Sequence, residues 1–109
     1  MEITLPEKSH FEWDAANISH IAKHNVVPEE AEEVFYQEPQ IITYDEEHST
    51  KETRYAFLGK TKQGRLVTII FTLRGKQNET IRVISARDQS KKERKEYDEE
   101  VRKGSDASL

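Results

Sequence analysis

Two rhythms of apolar residues divide this chain. In its first third Ile18, Ile21 and Ala22 recur at the i, i+3, i+4 spacing of one helical face. That predicts a helix over 15–24, with Asp14 as its N-cap, Lys23 and His24 in its last turn and Asn25 as an αL-tolerant closing residue. Before it, Phe11 and Trp13 alternate with Glu12 in a short extended piece and point both aromatics one way. Pro28 suits the first position of a second helix, with Glu29, Glu30 and Glu32 at its positive end, Ala31, Val34 and Phe35 facing inward, and Pro39 closing the segment.

From residue 40 the period shortens to two. A strand is expected over 40–45, then a charged, exposed loop over 45–53 that contains His48. Strands over 54–61 and 65–74 are joined by Lys62-Gln63-Gly64, a hairpin signal. Leu66 to Phe71 shows little alternation, which predicts cover on both faces. A polar turn over 75–78 leads into a strand from Thr80 that carries Ile81, Val83 and Ile84. Ser90 and Glu93 form a capping box, so a last helix should run from Lys91 to about Arg102 with only Tyr97 and Val101 facing inward. The order is β-α-α-β-β-β-β-α. It implies an α+β domain in which an antiparallel meander is packed by two N-terminal helices and followed by a basic C-terminal helix. We expect one domain over 1–103 and a disordered tail over 104–109.

Composition adds limits. There is no cysteine, hence no disulfide framework and no thiolate chemistry. The longest apolar run is far too short to cross a bilayer, and the N-terminus has no signal-peptide pattern, so the expected setting is the cytoplasm without a membrane partner. The net charge of −4 hides an asymmetry. Residues 1–53 hold 13 acidic against 3 basic side chains, a net of −10, and residues 54–109 hold 8 against 14, a net of +6. A basic face for an anionic partner and an acidic face for a basic one are both compatible with this split.

The basic residues gather around the Thr80 strand and the helix after it: Arg82, Arg87, Lys91, Lys92, Arg94 and Lys95. Guanidinium groups grip phosphate oxygens bidentately, so a phosphate-bearing partner suits them, although a solvated helix face has the same composition. His10, His20, His24 and His48 are not spaced as a ligand set, which leaves no metal signature and no cofactor motif. What remains is acid–base chemistry, and it suffices for metal-independent RNA cleavage. That reaction needs a base for the 2′-hydroxyl, cations for the phosphorane and an acid for the leaving oxygen. His24 or Lys23 can serve as base or acid, Arg87 as charge stabiliser, and Tyr97 or Lys92 near the leaving group. A helix-capping histidine and a core-anchoring tyrosine are the plainer readings of His24 and Tyr97.

The FEWD opening, the Lys23-His24 pair, VxxEEAEEVF, GKTKQGR and ISARDQSKKERKEY together resemble the BrnT family of bacterial type II toxins, from Phe11 to about Tyr97. The resemblance implies a RelE-like fold, a ribonuclease that blocks translation, and a BrnA-type antitoxin whose DNA-binding part is ribbon-helix-helix. DNA would be reached only through that antitoxin. By position it implies Arg87, His24 and Lys23 as catalytic residues. Arg65, where a basic residue often opens the long strand, and Arg82, Lys91, Lys92 and Arg94 are the RNA-binding candidates. Ala15, Ala16 and His20 depart from the family pattern, and Asn25 replaces its usual glycine. An alternative from another class is a catalytically inactive toxin-fold protein that acts through protein–protein contact or operon autoregulation.

Overall fold

The computed structural model of the chain describes residues 10–45 and 51–107. Its elements follow the expected order: β1 (His10–Glu12), α1 (Ala15–Ala22), α2 (Pro28–Val34), β2 (Ile41–Tyr44), β3 (Tyr55–Lys60), β4 (Leu66–Arg74), β5 (Thr80–Asp88) and α3 (Lys91–Ala107). The sheet order is β1-β5-β4-β3-β2. Strands β2 to β5 pair antiparallel in sequence order, but β1 pairs parallel with the start of β5, Phe11 opposite Ile81. The sheet is thus five-stranded and mixed, not the four-stranded antiparallel meander expected. Three residues of alternating pattern do not encode a pairing partner, and β1 finds one in the backbone edge that the meander leaves open at β5.

One face of this sheet carries the core. Phe57, Val67, Ile69, Phe71, Ile81, Val83 and Ala86 point to it, and α1 and α2 cover it with Ile21, Val26, Ala31, Val34 and Phe35. Phe35, just past the end of α2, meets Phe57, Phe71 and Phe11 edge to face at centroid distances of 4.9, 5.2 and 5.3 Å. Gly59 lets α2 come this close, since a Cβ there would stand 2.6 Å from Val34 Cγ1. On the opposite face Thr68 and Thr72 are also buried, as the weak alternation of β4 foretold. There α3 packs, anchored by the buried Tyr97, while Val101 is 36% exposed.

Local differences from the sequence expectation have local causes. Helix α1 stops at Ala22, two residues early, because Asn25 takes φ 58° and closes a reverse turn. The Asn25 N–H donates to Ala22 O and the Val26 N–H to Ile21 O, and the buried Ile21–Val26 contact accompanies this Schellman pattern. Lys23 and His24 are therefore turn residues, both exposed. The hairpin after β3 closes as a turn in which Gly64 N–H donates to Thr61 O, with Gly64 at φ 90°. Helix α3 passes Gly104 and continues to Ala107, with Asp98–Arg102 and Glu100–Lys103 ion pairs on its exposed side. The His48 loop falls partly on residues 46–50, outside the described residues.

In β5 the register slips by one residue opposite Ile70 and Phe71, whose partners are Ser85 and Val83, so Ile84 is a bulge. The bulge coincides with the end of β1, and Asn17 fills the gap. Its Oδ1 accepts from the Asp14 N–H (2.8 Å), and its Nδ2 donates to Glu12 O (2.9 Å) and Val83 O (3.0 Å). The carboxamide thereby takes the place of the next strand residue. Meanwhile Asp14 Oδ1 accepts from the Ala16 and Asn17 N–H groups, as an N-cap should.

Candidate functional site

The end of the sheet where β5 finishes and β4 begins collects most of the residues singled out above. Arg87 sits near the end of β5, opposite Thr68, on the face covered by α3. Its side chain is 38% exposed and bound end-on by Glu93 of α3: Nη1 donates to Oε1 at 2.6 Å and Nη2 to Oε2 at 3.0 Å. Nη1 also reaches Asp88 O at 3.2 Å. Glu93 is the capping-box residue as well, accepting from the Ser90 N–H at 2.8 Å while its own N–H donates to Ser90 Oγ at 3.2 Å. Partial burial of this carboxyl would raise its pKa. The Arg87 guanidinium and the Ser90 N–H outweigh that and hold it at about 2, with the Thr68 hydroxyl beside it.

Arg65 occupies the same end of the sheet but points to the other face. Its Nε donates to Asp88 Oδ1 (2.8 Å), Nη1 to Asn25 O (2.7 Å) and Nη2 to His24 O (2.9 Å), and Glu30 lies 3.6 Å from Nη1. The hydrogen bond to Asp88, against partial burial, raises the pKa of this guanidinium further. Arg65 thus straps the Lys23–His24 turn to the residue next to Arg87. This is a binding role towards the protein's own backbone rather than an open cation.

The first two turns of α3 supply a run of open cations. Lys91, Lys92, Arg94 and Lys95 are all exposed and form no ion pair among the described residues. They follow directly on Arg87 and the positive end of the helix. Lys23 and His24 are exposed too, on the turn that Arg65 holds at the other face of the same sheet end.

Arg82 lies apart. It is at the opposite end of β5, on the order of 15 Å from Arg87 at about 3.3 Å per residue. There it is 13% exposed and meets Asp14 Oδ2 at 2.9 Å and Glu12 Oε1 at 3.3 Å. Arg74 binds the same Glu12 and Glu52, each at 3.4 Å. Acidic residues of the first half thus neutralise arginines of the second half here, so the charge split along the sequence is not the charge split over the surface. Tyr97 is 6% exposed, burial pushes its phenol pKa up, and its hydroxyl has no partner among the described residues. It is a core anchor beneath α3, not a group open to solvent.

Some of this was not read from the sequence. Asn17 has the local signal of a residue three after Asp14 that closes a capping box, but its bond to Val83, like the Arg65–Asp88 pair, joins segments remote in sequence. Glu93 was legible as a cap; its second role shows only once Arg87 is opposite it. Among the described residues no three His, Asp or Glu side chains are gathered as a metal would require.

Fold and site together define a small α+β protein with a run of four open cations on the helix that follows one arginine at a sheet end. The model of the family described as "Ribonuclease toxin, BrnT, of type II toxin-antitoxin system" matches residues 13–93, most of the chain, and the protein belongs to that family. A comparison with curated proteins found no match. Membership makes this a ribonuclease toxin by family and implies an antitoxin partner. No described helix is long and apolar enough to cross a membrane.

Proposed function

We propose that the chain is a metal-independent endoribonuclease with a RelE-like arrangement, which cleaves RNA and thereby stops translation in the cytoplasm. The observation that carries this reading is Arg87 beside the exposed Lys91, Lys92 and Arg94 at one end of the sheet, with Arg65 tying the Lys23–His24 turn on the other face to Asp88, the residue next to Arg87. An RNA strand lies along the first turns of α3, its phosphates neutralised by the lysines and Arg94. His24 or Lys23 takes the 2′-hydroxyl proton, and the oxygen attacks the adjacent phosphorus. Arg87 stabilises the negative charge of the phosphorane, and a cationic side chain returns a proton to the leaving 5′-oxygen. No step calls for a metal ion. The matching partner is a BrnA-type antitoxin with a ribbon-helix-helix part, through which alone the protein would reach DNA.

The test is cleavage of a defined RNA by purified protein in EDTA, wild type beside Arg87→Ala. Cleavage by the wild type, lowered roughly 100- to 1,000-fold by the substitution, supports the reading, the loss being that typical of one charge-stabilising donor. A wild type inert at low salt would sink it and leave the interaction protein as the standing alternative.

A further inference from the structure

Glu93 takes only one of the two bidentate edges that Arg87 offers. A guanidinium has five N–H donors arranged in a plane, an end-on fork from Nη1 and Nη2 and a side-on fork from Nε and Nη2. Here both Nη1 hydrogens are engaged, by Glu93 Oε1 and Asp88 O, and one Nη2 hydrogen by Glu93 Oε2. The Nε–H and the second Nη2–H, which together make the side-on fork, have no partner among the described residues. The carboxylate opposite is itself fixed. It is 20% exposed, it accepts from the Ser90 backbone as the cap of α3, and it stays ionised down to about pH 2.

We infer that Glu93 is a positioning residue: it clamps the end-on edge of Arg87 to the first turn of α3 and so presents the side-on Nε/Nη2 fork as the phosphate-recognising edge. This rests on the proposed ribonuclease reading and deepens it. A free arginine side chain spreads over many rotamers, and ordering it when the phosphorane forms costs rate; a guanidinium already held in plane avoids that cost. The local charge remains favourable to phosphate although Arg87 and Glu93 cancel. Within a turn of Glu93 the helix carries Lys91, Lys92, Arg94 and Lys95 against one carboxylate, Glu96, so with the helix N-terminus the balance stays positive, and Asp88 is bound by Arg65. A lysine at position 87 would keep the charge and three donors but could hold neither Glu93 nor a phosphate bidentately, so it is expected to serve poorly there.

The experiment compares wild type, Glu93→Gln, Ser90→Ala and Arg87→Lys, all full-length, in cleavage of a short defined RNA. Alongside it, the Arg87 Nε–H resonance is followed by NMR during titration with inorganic phosphate. Glutamine keeps the cap, because Gln and Glu both complete a capping box, but it loses the charge and one half of the clamp. We expect Glu93→Gln to lower kcat roughly 10- to 100-fold, the worth of a charge-assisted hydrogen bond, with KM nearly unchanged. Arg87→Lys should fall at least as far. Ser90→Ala loses a cap hydrogen bond yet keeps both Arg87–Glu93 bonds, so it should lower the unfolding midpoint and leave kcat alone. A kcat for Glu93→Gln equal to or above wild type would overturn the inference, showing Glu93 to be idle or a mask over Arg87. Full activity of Arg87→Lys would overturn it too. If no variant, wild type included, cleaves RNA, the ribonuclease reading fails but the clamp is still tested. The Arg87 Nε–H must shift with phosphate in the wild type and markedly less in Glu93→Gln, and an equal shift in both refutes the clamp.

Discussion

Replacing Asn17 by alanine is the sharpest test of how this fold holds its site. Asn17 is 3% exposed, and its carboxamide makes hydrogen bonds of 2.8, 2.9 and 3.0 Å to Asp14 N, Glu12 O and Val83 O. A methyl group makes none of them. Three hydrogen bonds at about 1 kcal/mol each, plus a buried Val83 carbonyl left without its partner, give a loss on the order of 3–5 kcal/mol. That is a large share of the stability of a domain this size, and should lower the thermal midpoint by more than about 10 °C. Urea unfolding followed through Trp13 suits the assay. Its indole Nε1–H donates to Glu32 Oε2 at 2.7 Å, so the ring reports on the packing of β1 and α2. The urea midpoint should fall while the slope stays constant. Asn17→Asp makes the sign testable. The carboxylate still accepts from Asp14 N, but its second oxygen faces two carbonyl oxygens. Its pKa in the folded state must therefore rise above the unfolded value, so relative to wild type this variant is least destabilised at low pH and loses stability as pH climbs through the folded-state pKa. An alanine variant within about 1 kcal/mol of wild type would refute the account of Asn17 as a strand substitute.

Three further outcomes are expected. Arg65→Ala should cost roughly 1–3 kcal/mol and lower activity with it, because the His24 and Asn25 carbonyls lose their donors; Arg65→Lys should rescue little, as one ammonium cannot span three acceptors, and urea unfolding beside cleavage rates checks both. For RNA binding measured against salt, Lys92→Ala should reduce the log–log slope by roughly 0.7, whereas Arg82→Ala should leave it unchanged, since Arg82 is already matched by Glu12 and Asp14. The folded-state pKa of Glu93 is depressed from 4.5 to about 2, so its contribution is complete above pH 4.5 and is lost as pH falls towards 2. After allowance for solvent screening it is worth on the order of 1–2 kcal/mol, and Glu93→Gln should flatten that part of the stability–pH curve.

What the sequence made legible was whatever is encoded locally. Asp14, Ser90 and Glu93 mark helix starts through hydrogen bonds that span three residues and Pro28 marks one through its fixed φ at the first helical position, and the structure has each of them where the sequence puts it. The hairpin at Gly64 and the inward face of α2 follow equally short rules, but of the expected α1 face Ile18, Ile21 and Ala22 only Ile21 is buried, because Asn17 takes the inward place next to it while Ile18 and Ala22 are exposed. What was not legible joins distant segments: the parallel β1–β5 pair, the Asn17 bridge from Glu12 to Val83, the strap from Arg65 to Asp88 and the His24 turn. The site divides along the same line. Local reading identified the arginines and lysines, because residue type is local, but could not tell which were already engaged. Arg82 and Arg65 look no different in sequence from Arg87. Only the folded arrangement shows the first neutralised by two carboxylates, the second bound to backbone carbonyls, and the third held by one edge with the other left open. In a chain with 21 acidic and 17 basic side chains, the cations that matter for an anionic partner are those left unpaired after folding; among the described residues Lys23, Lys62 and Lys76 are scattered, whereas Lys91, Lys92, Arg94 and Lys95 lie together on the first turns of α3. A search for function among charged residues therefore has to begin with the internal pairs, and only then weigh the charges that remain.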